Sequence, residues 1–142
     1  MNAKEYLEKI GIMEKQLDSM LENYEALKSV AESTITKLSG MPHAGDNYRK
    51  IENFAVKLVC LEEKIQAEAQ KLFDLKNEAL YYISLLEDPA ERSILRKHYI
   101  LGNSYRKIAC ESNYARAYVY EKKDDALENL SKILNEKIPN KN

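Results

Sequence analysis

Between Arg106 and Lys123 the chain gathers side chains suited to a polyanion whose sequence can be read. An arginine can donate two parallel hydrogen bonds to guanine, and an asparagine amide can pair with the edge of adenine. On that chemistry Asn113, Arg116, Ala117 and Tyr120 are the expected base contacts, and Tyr118 suits a phosphate or a thymine methyl. Arg106, Lys107, Lys122 and Lys123 would sit on phosphates, which position a protein without reading sequence. Local charge opposes this: within 115–125, Arg116, Lys122 and Lys123 are balanced by Glu121, Asp124 and Asp125. A stretch without net positive charge gains little from counterion release.

Other chemistry is thin. The two histidines, His43 and His98, follow Gly40 and Leu95 at the position where a di-metal bundle needs glutamate. Cys60 and Cys110 lie fifty residues apart without Cys-x-x-Cys spacing, so they are expected as small buried apolar residues in a reducing cytoplasm. There is no glycine-rich phosphate loop, nucleophile elbow or Ser/His/Asp set. The expectation is therefore a protein that is not an enzyme, with no metal, cofactor or small-molecule substrate.

The elements that must hold the Arg106–Lys123 stretch are helical. Among 142 residues only 4 Gly and 3 Pro interrupt a chain rich in Lys, Glu, Leu, Ala and Ile. Charge is uneven: residues 1–89 hold 11 Lys/Arg against 16 Asp/Glu, and residues 90–142 hold 11 against 7. A modestly basic C-terminal part is compatible with phosphate. No run of 18 apolar residues exists and the N-terminus has no apolar signal core, so a cytoplasmic protein without a membrane partner is expected.

Tyr6, Ile10, Met13, Leu17, Met20, Tyr24, Leu27 and Ala31 step by 4 and 3, a heptad repeat that predicts a helix over about 3–38. Ile51, Phe54, Leu58, Leu61, Ile65, Glu68, Leu72, Leu75, Ala79, Tyr82 and Leu86 repeat it over about 47–87, broken only by Glu68. The breaker segment from Ser39 to Asn47, with its Met41-Pro42 and an Asp46 or Asn47 cap, permits a hairpin within one chain or pairing between chains. Two narrow stripes leave apolar surface wet, so Ile10, Met13, Leu17, Leu58, Leu61, Ile65 and Leu72 are expected to support a dimer or higher homo-oligomer. Asp88-Pro89-Ala90-Glu91 then reads as a capping box opening a third helix, which Gly102 ends. Ser104 caps a short helix from Tyr105 to about Glu111, Ser112-Asn113 turn, and a last helix runs from about Ala115 to Asn135.

The domain reading is a coiled-coil oligomerisation region over 1–87, a trihelical helix-turn-helix head over 88–136, and a frayed tail over 137–142. Ala109 supplies the small residue where the two short helices cross, and Val119 the apolar residue that fixes their angle.

Leu95-x-x-x-Tyr99-Ile100-Leu101-Gly102, Ser104-Tyr105-x-x-Ile108-Ala109, Tyr114-x-x-x-x-Val119-Tyr120 and Ala126-Leu127-x-x-Leu130 resemble the promoter-reading C-terminal region of bacterial sigma factors. The chain is closer still to a phage- and prophage-encoded family of unknown function with that C-terminus, related to ArpU-type regulators. Thr34-Ile35-Thr36, Met41-Pro42 and the second long helix extend the similarity to nearly the whole chain. The resemblance implies double-stranded DNA binding in phage gene regulation. Three departures stand out: Ala115 replaces a serine cap, Glu121 replaces a basic residue, and Lys122 stands where an apolar residue is usual.

Two functions follow as expectations. One is a dimeric transcription regulator whose head reads DNA while its stalk sets half-site spacing or recruits RNA polymerase. The other is a helical assembly module, in phage packaging or scaffolding, whose head binds protein.

Overall fold

The computed structural model describes residues 2–38, 40 and 44–137, with the side chains of 44–47 excepted. It is all-helical, two long helices followed by shorter ones, with no strand among the described residues. Helix α1 spans Ala3–Leu38 and α2 spans Ala44–Ser84. Helix α3, Pro89–Leu95, continues directly into a π-helical turn over Arg96–Ile100. Helix α4 spans Tyr105–Ser112 and α5 spans Arg116–Lys137. The expectations for Met41-Pro42, His43 and the tail beyond Lys137 fall outside the described residues, whereas Asp46 and Asn47, expected to cap the second helix, lie inside its first turn because α2 already starts at Ala44.

Contacts gather the chain into two compact units, residues 14–71 and residues 1–13 with 72–142. The second unit therefore unites both ends of the segment read as a coiled coil with the C-terminal helices, rather than dividing at residue 87.

In the unit of residues 14–71, α1 and α2 lie antiparallel within one chain. The Tyr24 hydroxyl donates to the Glu62 carboxylate. Shared cavities set Met20 beside Ala67 and Leu27 beside Leu61. Met13 in the other unit, and Leu17, Leu58, Leu61 and Ile65 here, are half-buried along the heptad face, while the residues between them are mostly exposed. Glu68, the break in that face, pairs with Lys71 at 3.2 Å. Among the described side chains of this unit only Ala31 and Leu38 are buried outright.

The other unit has a closed core. The first turns of α1 bury Ala3, Tyr6, Leu7 and Ile10; the end of α2 contributes Leu72, Ala79 and Ile83, and the segment after it Leu86; α5 adds Ala126, Leu130 and Leu134. Ile10 and Leu72, expected at an oligomer contact, are spent in this core. The Tyr6 hydroxyl donates to Glu78 at 2.8 Å, and burial together with that carboxylate holds its phenol well above the ordinary range. The Ala3 amide donates to Ser131 Oγ at 3.0 Å, fastening the start of α1 to α5. Helix α2 has no basic residue in its last turn. Arg92 of α3 compensates, donating to the Leu86 and Glu87 carbonyls at 2.6 and 3.1 Å, where a chain leaving a helix has carbonyls to satisfy.

Candidate nucleic-acid interface

Local chemistry sets the ends of the short helices. Asp88 caps α3 by accepting from the Ala90 amide at 2.9 Å, with Pro89 at the first helical position. Glu91 was expected to reach back to the cap. It is instead 5% exposed and accepts from Asn129 of α5 at 2.7 Å, because a buried carboxylate takes the donor its packing partner offers. Ser104 caps α4 by accepting from Lys107 N at 3.2 Å. Gly102 (φ 77°) and Asn113 (φ 58°) adopt the left-handed conformation that ends a helix, and asparagine tolerates it through its short polar side chain.

Ile94, Ile108, Ala109 and Val119 form one buried cluster, with Tyr105 packed against it. A small residue at 109 lets α4 approach α5, and Val119 fixes the angle between them. Two polar ties add orientation. Lys122 Nζ lies 2.7 Å from Asp88 Oδ2, and Glu91 holds Asn129, so α5 is fastened twice to the start of α3. The Lys122 hydrogen bond and the Ala90 amide lower the Asp88 carboxyl, and the Asp88 hydrogen bond in turn raises the Lys122 ammonium.

The π-helical turn carries His98, half-buried, stacked on Tyr105 at 3.8 Å and edge-on to Tyr99. Its Nδ1 lies 2.7 Å from the Asn103 carbonyl oxygen; a carbonyl only accepts, so Nδ1 donates. Burial pushes the imidazole below its ordinary value, with Lys123 acting in the same direction and the Asn103 carbonyl against them.

The structure divides the sequence-read residues into two groups. Arg106 and Lys107 are exposed in the first turn of α4; Asn113, Arg116, Ala117, Tyr118 and Tyr120 are exposed on the turn and the start of α5. Tyr105 lies 5.5 Å from Tyr120, which sets the start of α4 beside the second turn of α5. At 100° per residue Ala117 and Glu121 project roughly opposite buried Val119, with Arg116 and Tyr120 on one shoulder and Tyr118 on the other. Lys122 and Lys123 form the second group, for their charges are already engaged. Lys122 serves Asp88, while Lys123 lies between the Tyr105 and Tyr120 rings, 5.3 and 5.4 Å from their centroids, and 3.1 Å from Asp124. Lysine at 122, expected from the sequence as a departure from an apolar position, is accommodated by Asp88.

Lys97 was not singled out from the sequence. It stands in the π-helical turn with Nζ 3.4 Å from Ser112 Oγ, beside the turn that leads into α5. No sequence signal marks it, because the widened turn that aims it is a tertiary outcome. Cys60 and Cys110, expected buried, are both free and exposed: each lies on a helix face that no other described residue covers fully. Among the described residues no group of three His, Cys, Asp or Glu has the arrangement of a metal site, and no helix is long and apolar enough to cross a membrane.

A family described as "Protein of unknown function (DUF1492)" matches residues 32–131. The chain belongs to this family. The match starts in the last turns of α1 and ends within α5 at Ser131, so it takes in the Asp88–Lys122 tie and the whole α4–turn–α5 arrangement. No curated protein and no solved structure matches the chain.

Proposed function

We propose that the chain is a DNA-binding transcriptional regulator of phage type, with α3, α4 and α5 acting as a sigma-like helix-turn-helix. The observation that carries this reading is the exposed set at the start of α5, Ala117 opposite Val119 with Arg116 and Tyr120 on one shoulder, beside Arg106 and Lys107 on α4. Arg106 and Lys107 lie in the first turn of α4, which has no acidic residue, at the positive end of the helix dipole. That placement is locally unfavourable; exposed Glu111, 3.9 Å from Lys107, offsets part of it and a bound anion relieves the rest. In the proposed mode, phosphates contact Arg106, Lys107 and Lys97 while Arg116 and Tyr120 enter the major groove. A dimer would set two such heads on half-sites. Because the heptad residues are used inside the hairpin, its contact falls to apolar side chains beside the seam, such as Leu21 and Val59.

The rival reading, an assembly module whose head binds protein, is favoured by Tyr114, Tyr118 and Tyr120, each more than a third exposed, and by Glu121, Asp124 and Glu128 further along α5. Fluorescence anisotropy with random duplex and with duplex from beside the protein's own gene, at two salt concentrations, separates them. Salt-sensitive binding that prefers the native duplex supports the regulator. A folded protein that binds neither duplex supports the assembly module.

A further inference from the structure

We propose that one side of the α1–α2 hairpin, within residues 14–71, is a docking trough for an acidic amphipathic helix of another protein. Three cavities, of about 620, 330 and 160 Å³, open on that side. They are successive stretches of one trough: the first two share Lys64, and the last two share Leu27, Lys57 and Leu61. Along α2 the lining runs from Phe54 to Glu68, a rise of about 21 Å, or the length of a helix of about 14 residues.

The floor is apolar and uncovered. Leu27, Val30 and Val56 are 49%, 59% and 61% exposed, and no third helix of the chain lies within this unit. A pair of helices with so few buried side chains is completed by a further helix laid along its groove. The rim decides the kind of helix. Lys15, Lys57 and Lys64 line the trough; among its described lining residues the one carboxylate, Glu68, is engaged by Lys71. An occupant that covers the floor with apolar residues and flanks them with Asp or Glu satisfies both features.

A second copy docked through the same face would set these lysines against themselves, since a two-fold contact is self-complementary. Duplex DNA would leave Val56, Cys60 and Leu61 uncovered between Lys57 and Lys64, which are about 10 Å apart along the axis.

Cys60 lines the trough and Cys110 lies on α4; both are free and exposed, so the chain carries its own probe and its own reference. The test is peptide-resolved thiol modification of the full chain in the presence of a designed peptide with a leucine stripe and glutamate flanks. A peptide with lysine flanks is the control. At ten times its Kd the acidic peptide is expected to slow modification of Cys60 about tenfold and to leave Cys110 unchanged. A K57E/K64E variant, at exposed positions and checked for helicity by circular dichroism, is expected to reverse the preference between the two peptides. Val56→Ser, which keeps the rim, is expected to weaken the acidic peptide without reversing it. Equal protection by both peptides, or by neither, overturns the proposal. So does protection that grows with the protein's own concentration, which assigns the trough to a second copy, or protection by duplex DNA. None of these outcomes depends on whether the head binds DNA.

Discussion

The salt dependence of DNA binding can be worked out from which cations the fold leaves free. Each phosphate neutralised contributes a slope of about −0.9 to log K against log salt on B-form DNA. Of the seven cations from Arg96 to the middle of α5, the proposed mode concerns six: Lys97, Arg106, Lys107, Arg116, Lys122 and Lys123. Lys122 is held by Asp88 at 2.7 Å, and Lys123 by two tyrosine rings and Asp124. The other four are held less tightly, Lys107 meeting only exposed Glu111 at 3.9 Å, and they give a slope of about −3.6 per head and a loss of about 150-fold in affinity between 50 and 200 mM salt. All six would give about −5.4 and a loss nearer 1,800-fold. Anisotropy titrations at several salt concentrations measure this directly. Arg106→Gln is expected to flatten the slope by about 0.9, and Lys122→Gln to leave it unchanged. If Lys122→Gln flattened the slope as much as Arg106→Gln, the Asp88 tie would have to open on DNA and the division of cations drawn above would be wrong. A slope near zero for the wild type would remove the interface altogether.

Three further outcomes test the fold beneath the site. Ile108→Ala empties a fully buried position between α4 and α5 and is expected to destabilise the protein by about 2–5 kcal/mol in chemical denaturation; a loss under 1 kcal/mol would mean the cluster is not packed as described. Gly11 lies inside α1 with nothing within 4 Å of an added Cβ, so Gly11→Ala is expected to gain about 0.5–1 kcal/mol, and a loss would mean that an unseen partner approaches there. The imidazole of His98, facing Tyr99, Tyr105 and Lys123, is held below its ordinary value, so the unfolded chain binds the extra proton first. Stability is then complete above pH about 6.5 and falls as pH drops from there toward the lowered folded value; His98→Gln should remove this part of the pH profile, and an unaltered profile would dismiss the argument.

How far the sequence reading reached depended on the range of the interaction. The heptad steps placed Tyr6, Ile10, Leu72, Ala79 and Leu86 on the faces that are buried, because a period of seven admits one stripe per helix. The caps at Asp88 and Ser104 were legible because their acceptors serve amides two or three residues away. Asn113 combined a tight turn with tolerance of positive φ, so the break between α4 and α5 was also legible. What escaped was set by partners distant in sequence. Glu91 looked like the second half of a capping box until Asn129, 38 residues on, claimed its carboxylate. Lys122 looked free until Asp88, 34 residues back, took its ammonium. The π-helical turn has no local signature, so neither the stacking of His98 on Tyr105 nor the direction of Lys97 could be read.

These long-range pairings also explain how a chain of net charge −1 could present a cationic surface. Residues 90–142 carry more cations than carboxylates, but the surplus is not spread along α5. Past Tyr120 the exposed side chains of α5 include Glu121, Asp124, Asp125 and Glu128, while Lys122 and Lys123 turn back to Asp88 and to the tyrosines. Of the other cations, Lys97, Arg106, Lys107 and Arg116 belong to the π-helical turn, to α4 and to the first residue of α5. In the proposed docking mode that partition allows one polarity. The start of α5 points into the groove with α4 along the backbone, and the acidic middle of α5 is carried away from the phosphates. A docking that laid α5 along the groove for its full length would bring those carboxylates against phosphate and lose the electrostatic gain of those four cations. Base reading would then be confined to about the first two turns of α5, which puts Arg116 and Tyr120 at the centre of whatever sequence the head prefers.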